Sequence, residues 1–170
     1  ECHEIDTGRI LTAMAFLYDW CYHGLTEEQR DEIVAVTTHL AILPTYEYVT
    51  GQSGHPISWL YYMSNYNAMC SAGPITFLAA IAERADDIVW EVGAQALRGT
   101  EYFLQSMMPD GAAGDSPSYW KEHMFPGIAY VSLQDLFGGT YGVTSSPGLE
   151  KTTSWIISMM HPAGQYNFHD

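Results

Sequence analysis

The stretch that decides the fold is Asp6-Thr7-Gly8-Arg9-Ile10-Leu11-Thr12-Ala13-Met14-Ala15-Phe16-Leu17-Tyr18-Asp19-Trp20-Cys21-Tyr22, followed by Gly24 and then Thr26-Glu27-Glu28-Gln29. Ile10, Met14, Leu17 and Cys21 recur at helical spacing, which predicts a helix over 6–22. Gly24 ends it. The Thr26 to Gln29 segment is a capping box: the Thr hydroxyl covers a free backbone amide while Gln29 reaches back to the cap. It opens a second helix to Leu43, which Pro44 is expected to close. A helix, a short stop and a second capped helix make a helical hairpin.

Working outward, the same signals recur. A long Gly-, Ser-, Pro- and aromatic-rich connection is expected over 44–66, and loops of that length inside a domain are usually functional or mobile. A third helix is predicted over 67–84 despite Pro74, and a fourth over 87–107 with an acidic start that suits the helix dipole. A second Gly/Asp-rich loop covers 109–116. Pro117 then suits the first turn of a fifth helix, which continues to Phe137 with a bend at Pro126. Gly138-Gly139 breaks that helix, and Ser146-Pro147 opens a sixth that ends near Met160. No strand alternation occurs before the last few residues. The fold class is all-α, with about six helices as stacked antiparallel hairpins.

Composition bounds what the chain can do. At 170 residues it is one domain's worth, and 47% apolar content places it among globular chains. Twenty acidic residues against six basic ones give a formal net charge of −14, which argues against a nucleic-acid surface because phosphate contacts need clustered Lys and Arg. An acidic glycan is still compatible, since a few cations or neutral donors can hold one carboxylate. Five Trp and 12 Tyr are many for a helical core, so some rings are candidates for stacking on sugars. Cys2, Cys21 and Cys70 form no CxxC pair, and His161, His169 and Asp170 lack tight ligand spacing, so no metal site or cofactor is expected. No run of 18 apolar residues is present, so no membrane partner is expected. Glu1 is not an initiator Met, and the run reads as a piece of something longer.

Two polar-aromatic segments stand out: Ser64-Asn65-Tyr66-Asn67-Ala68-Met69-Cys70, and Pro109-Asp110-Gly111 with Asp115-Ser116-Pro117-Ser118-Tyr119-Trp120. With Tyr18-Asp19-Trp20, Leu25-Thr26-Glu27-Glu28-Gln29-Arg30 and Asn167-Phe168-His169-Asp170, these segments resemble, in order and spacing, the heparinase II/III-like polysaccharide lyases. The resemblance implies a partial (α/α) toroid whose upstream helices and C-terminal β-sandwich, starting near Phe168, lie outside this chain. It implies β-elimination on uronic-acid-containing glycans, an acidic polysaccharide or oligosaccharide as partner, a missing domain or partner chain that supplies a catalytic histidine, and a periplasmic or secreted location. It implies that Tyr119 is the catalytic tyrosine and that Asn65 contacts the uronate carboxylate.

The chemistry of these residue types is consistent with that. Removing the proton alpha to an ionised carboxylate builds a second negative charge, so donors that neutralise the carboxylate lower the barrier. Asn65 offers two N–H donors without charge. A phenol is too weak an acid to serve as base at neutral pH unaided, so Tyr119 needs a nearby cation or donor. His123 lies four residues on, on the same face of a regular helix, and is the expected helper; Lys121 would point elsewhere. Tyr66, Asn67, Trp59, Trp120 and His55 are expected substrate contacts. Plainer readings stay open: Asn65 and Asn67 as helix caps, Tyr119 as a core tyrosine, His123 as a solvated helix residue and the aromatics as packing. Asp110, Asp115 and Glu122 could instead supply paired carboxylates for glycoside hydrolysis. A non-catalytic glycan-binding or structural toroid fragment is the remaining alternative.

Overall fold

The first hairpin forms as its caps dictate. In the computed structural model, which describes residues 4–54, 59–139 and 146–165 (the side chains of Tyr130 and Gln165 excepted), the first helix is α1 (Glu4–Cys21), ending in a 3-10 turn over Tyr22–Gly24. Thr26 then opens α2 (Glu27–Thr37): its Oγ1 accepts from Gln29 N at 3.3 Å, and Gln29 Oε1 accepts from Thr26 N at 2.9 Å. Arg30 fastens the turn by lying over the Tyr22 ring, 4.3 Å from its centroid, while donating to the Tyr22 carbonyl.

Pro44 does not end the second helix. The chain passes through a π turn over Thr38–Ile42 and continues as α3 (Leu43–Val49). Proline has no N–H to give to the carbonyl four residues back, and its ring crowds that carbonyl. Widening the turn so that Leu43 N bonds Thr38 O lets the helix proceed. The expected connection over 44–66 is therefore partly helical, with a further 3-10 turn at Trp59–Tyr61.

The remaining elements are α4 (Asn65–Ile81), α5 (Asp87–Ser106), α6 (Trp120–His123), α7 (Phe125–Phe137) and α8 (Pro147–Ser158), then a two-residue hairpin of β1 (Met160–His161) with β2 (Gly164–Gln165). Among the described residues the helices form six bodies, α2 with α3 and α6 with α7 being consecutive, so the fold is all-α.

α4 is the central helix and is buried along nearly its whole length, packed by α1, α5 and α7. Its approach to α1 is set by two glycines. A Cβ on Gly8 would meet the Met69 carbonyl oxygen at 2.5 Å, and a Cβ on Gly73 would collide with the Gly8 backbone. Only hydrogen at both positions lets the two backbones cross that closely. Gly73 is followed by Pro74, which gives no amide to the helix ladder, and the tight packing holds the helix through that gap.

This crossing decides which face of α1 is inside. Ile10, Met14, Leu17 and Cys21 mark the helix but not its core face. Leu11, Ala15 and Tyr18 are the fully buried side chains, while Ile10 and Leu17 face outward and Trp20 is 77% exposed. The core has two main parts. One gathers Leu11, Tyr18, Ile42, Phe77 and Val92; the other gathers Trp59, Leu60, Met69, Ile75 and Leu133.

Candidate functional site

The first turn of α4 and the segment 115–123 meet. Ser64 is the N-cap of α4 but makes no side-chain capping bond. Asp115, 50 residues away, supplies the acceptor instead: its Oδ2 receives the Asn65 backbone N–H at 2.5 Å. A carboxylate here is favoured by the unpaired amides and the positive end of the helix dipole. The Asn65 side chain turns the other way, and its Nδ2 donates to Glu122 Oε2 at 2.5 Å. Glu122 Oε1 accepts from an Arg9 guanidinium nitrogen at 3.0 Å, across 113 residues of chain. On the far side, His123 Nε2 lies 3.2 Å from Asp115 Oδ2. A continuous polar chain thus runs Arg9–Glu122–Asn65–Asp115–His123, tying α1, α4 and α6 together.

The segment that carries Asp115, Glu122 and His123 is shaped by its own sequence. Ser116 Oγ accepts from Ser118 N, Pro117 starts a 3-10 turn, and Tyr119 N bonds the Ser116 carbonyl at 2.9 Å. α6 lasts one turn before Met124, and Pro126 lies in the first turn of α7. Tyr119 therefore closes a 3-10 turn ahead of α6 and does not lie inside one regular helix with His123. Nor is His123 a solvated helix residue. It is wholly buried, its ring 5.5 Å from that of Phe103, and its Nδ1 has no hydrogen-bond partner among the described residues.

The other expected residues divide. Asn67 is fully buried and committed: its Nδ2 donates to the carbonyls of Leu60 and Tyr62, both at 2.9 Å, and its Oδ1 accepts from Ser71 Oγ at 2.7 Å. It pins the Trp59–Tyr61 turn to α4. Trp59 is buried in the core. Trp120 is half-buried and its Nε1 donates to Thr152 Oγ1 on α8 at 3.1 Å. Tyr66 is half-buried against the core and edge-on to Tyr62, and burial raises its phenol above the ordinary value. Tyr119 is half-buried, and its hydroxyl has no hydrogen-bond partner among the described residues. His55 lies outside the described residues, as do His169, Asp170 and Phe168.

Asp110 is not in the cluster. Its Oδ1 accepts from Ala112 N at 3.1 Å, and Gly111, at φ +96°, lies so close to the Lys151–Thr152 backbone that any Cβ would clash. The Pro109-Asp110-Gly111 motif is thus a turn seated on α8.

Asp115 and Glu122 are brought together, as a carboxylate pair would require, by binding the two ends of one asparagine. Arg9 is the member that sequence reading missed. A single arginine on an amphipathic helix carries no signal, and only the packing of α1 on α4 delivers it to Glu122. Arg9 is 49% exposed at its side chain against 8% for Glu122, so the cluster has a buried anionic side and an accessible cationic one.

A separate groove of about 770 Å³ runs between α1, α4 and α7, with Phe16, Trp20 and Val131 on its walls and Asp19 and Asp135 at its edge. It begins at Met124, just after α6, but neither Asn65, Tyr119 nor Glu122 lines it. Among the described residues, no group of three or more His, Cys, Asp or Glu is placed to hold a metal ion, and no helix is long and apolar enough to cross a membrane.

Comparison with known proteins adds no assignment: no family model matches the chain, and no curated protein is significantly similar to it.

Proposed function

We propose that this chain is part of the helical domain of a polysaccharide lyase that cleaves uronic-acid-containing glycans by β-elimination, its hairpins forming part of an (α/α) toroid. The observation that carries this reading is the direct bonding of the Asn65 turn to the 115–123 segment. These are the two motifs the family resemblance pairs, and they meet in one hydrogen-bonded cluster. In this reading Asn65 gives its remaining amide N–H to the uronate carboxylate. Tyr119, whose oxygen is unengaged within the described residues, acts as the phenolate to take the proton alpha to that carboxylate and, as the phenol so formed, returns it to the departing glycosidic oxygen. His123 acts at one remove, by holding Asp115 and through it the backbone of Asn65.

The test is the appearance of unsaturated uronate ends, followed by their ultraviolet absorbance, when the chain is incubated with heparinoids, alginate and ulvan. Tyr119→Phe is expected to abolish the product. Unchanged turnover in that variant would remove Tyr119 from the mechanism.

A second reading rests on Asp115 and Glu122 converging on Asn65. Two neighbouring carboxylates are the minimum for glycoside hydrolysis. New reducing ends without unsaturation would select it.

A further inference from the structure

The groove between α1 and α7, floored by α4, presents charges that the described fold does not answer. It holds about 770 Å³. Small-ligand sites run to roughly 300–1,000 Å³ and are concave and largely apolar, and three helices give this one that form. From α1 come Phe16 and Trp20, whose rings stack with centroids 5.0 Å apart and planes at 18°. The stack uses one indole face, and Trp20 is still 77% exposed, so its other face is open. The polar groups point to one sign of charge. Asp19 and Asp135 are the charged residues among those that line the groove, and both are exposed. Neither has a hydrogen bond or ion pair among the described residues. Both lining hydroxyls are turned to their own helices: Ser132 Oγ donates to the Ile128 carbonyl at 3.0 Å, and Thr76 Oγ1 to the Ala72 carbonyl at 2.8 Å. What they leave for a ligand is acceptor lone pairs. None of the chain's six basic residues is among the lining residues. An acidic glycan would meet two like charges here and no cation.

We infer that this groove binds a small amphiphilic organic cation, an ammonium head carrying an apolar chain or ring. The apolar body lies between α1 and α7, and the head sits at the edge by Asp19, Asp135 and the open face of Trp20. An aromatic face attracts an ammonium through its quadrupole, and carboxylates beside it add Coulombic attraction. The two halves of the ligand act together. Each buried methylene tightens binding by about fourfold, while the charge decides which head group is accepted. The inference is independent of the lyase reading.

The experiment is calorimetric titration of the full chain with octyltrimethylammonium, octyl sulfate and tetramethylammonium, all below micelle formation. Salt is held at about 0.15 M, where exposed charges more than about 8 Å apart are screened. Octyltrimethylammonium is expected to bind at one site per chain. Octyl sulfate, which has the wrong charge, and tetramethylammonium, which lacks the tail, should bind at least about tenfold more weakly. The Asp19→Asn/Asp135→Asn pair should weaken the octyl cation by about tenfold. Gly127 lines the groove, and a Cβ there meets nothing within 4 Å, so Gly127→Phe fills space without displacing a neighbour. It should abolish binding. Val131→Lys, at an exposed wall position, sets a resident cation in the groove and should do the same, and it carries the comparison if Gly127→Phe fails to fold. No one-site binding of octyltrimethylammonium by the parent chain would overturn the inference. Equal binding of octyl sulfate would overturn the charge selection. Binding that survives Gly127→Phe and Val131→Lys would put the cation on the acidic surface at large and overturn the site. An amphipathic Leu/Lys peptide that binds, is blocked by Gly127→Phe and has no octyl-cation counterpart would give the groove to a polypeptide partner instead. None of these outcomes bears on turnover of uronates, so the lyase reading stands or falls by its own test.

Discussion

The Asn65 Nδ2 to Glu122 Oε2 hydrogen bond, 2.5 Å long and spanning 57 residues of sequence, fixes which way the Asn65 amide faces. The nitrogen points at a buried carboxylate that is itself held by Arg9, so the amide cannot flip without leaving Glu122 short of a donor. One of the two N–H groups of Asn65 is therefore structural. A helix that starts on such a residue has its first turn ordered from outside, by Glu122 at the side chain and Asp115 at the backbone.

Glu122→Ala should destabilise the fold more than Glu122→Gln. Alanine leaves the Asn65 amide and the Arg9 guanidinium without their acceptor, whereas glutamine keeps an oxygen for one of them. Because Arg9 is half exposed, water replaces part of the loss, and about 1–3 kcal/mol is expected for alanine. Urea denaturation of the two variants checks the order.

Asn67→Ala should cost about 2–4 kcal/mol, since two backbone carbonyls and the Ser71 hydroxyl each lose a hydrogen bond to a fully buried side chain. Asn65→Ala, at a half-exposed position, should cost less. If Asn67→Ala were as stable as the parent chain but bound glycan poorly, Asn67 would be a ligand contact rather than a strut.

Gly73→Ala should be among the most damaging single-carbon additions. The new Cβ meets Gly8 backbone, which cannot rotate away as a side chain could. About 2–3 kcal/mol or a loss of the folded state is expected, measured by thermal unfolding. Gly127→Ala, where nothing lies within 4 Å of the added carbon, is the control.

Alkaline unfolding should depend on Tyr18. Burial, and then its hydrogen bond to Glu83 at 2.9 Å, push the Tyr18 phenol up to about 12. The folded state thus holds this proton more tightly than the unfolded chain, whose tyrosines titrate near ~10. The stability this represents is fully present below pH ~10 and drains away as pH rises towards about 12. Tyr48, raised by burial and by Glu4, adds to the same limb. Tyr18→Phe should flatten the fall in unfolding free energy between those pH values, followed by circular dichroism.

Tyr119→Phe should leave stability within about 0.5 kcal/mol of the parent, as its hydroxyl bonds to nothing among the described residues. Any loss of lyase product in that variant could then be assigned to chemistry. A large drop in melting temperature would instead mark Tyr119 as a core tyrosine.

Most of the helices are legible in the residues alone. Caps, breakers and apolar spacing are local properties, so the capping box at Thr26 and the starts at Asp87 and Pro147 are where those signals predict them. What local signals cannot weigh is competition between neighbours in space. Pro44 reads as a stop, yet a π turn absorbs its missing donor because α3 continues the packing. The spacing of Ile10 and Leu17 marks a helix but not its core face, since the Gly8 and Gly73 crossing brings Leu11, Ala15 and Tyr18 of α1 inward. The 119 and 123 spacing reads as one regular helix, yet Tyr119 closes a 3-10 turn and α6 runs only from Trp120 to His123. The polar cluster belongs wholly to this second kind. Arg9, Asn65 and Glu122 lie on three helices, and only the packing of α1 and α6 against the start of α4 brings a lone arginine, an asparagine and a glutamate within hydrogen-bond reach.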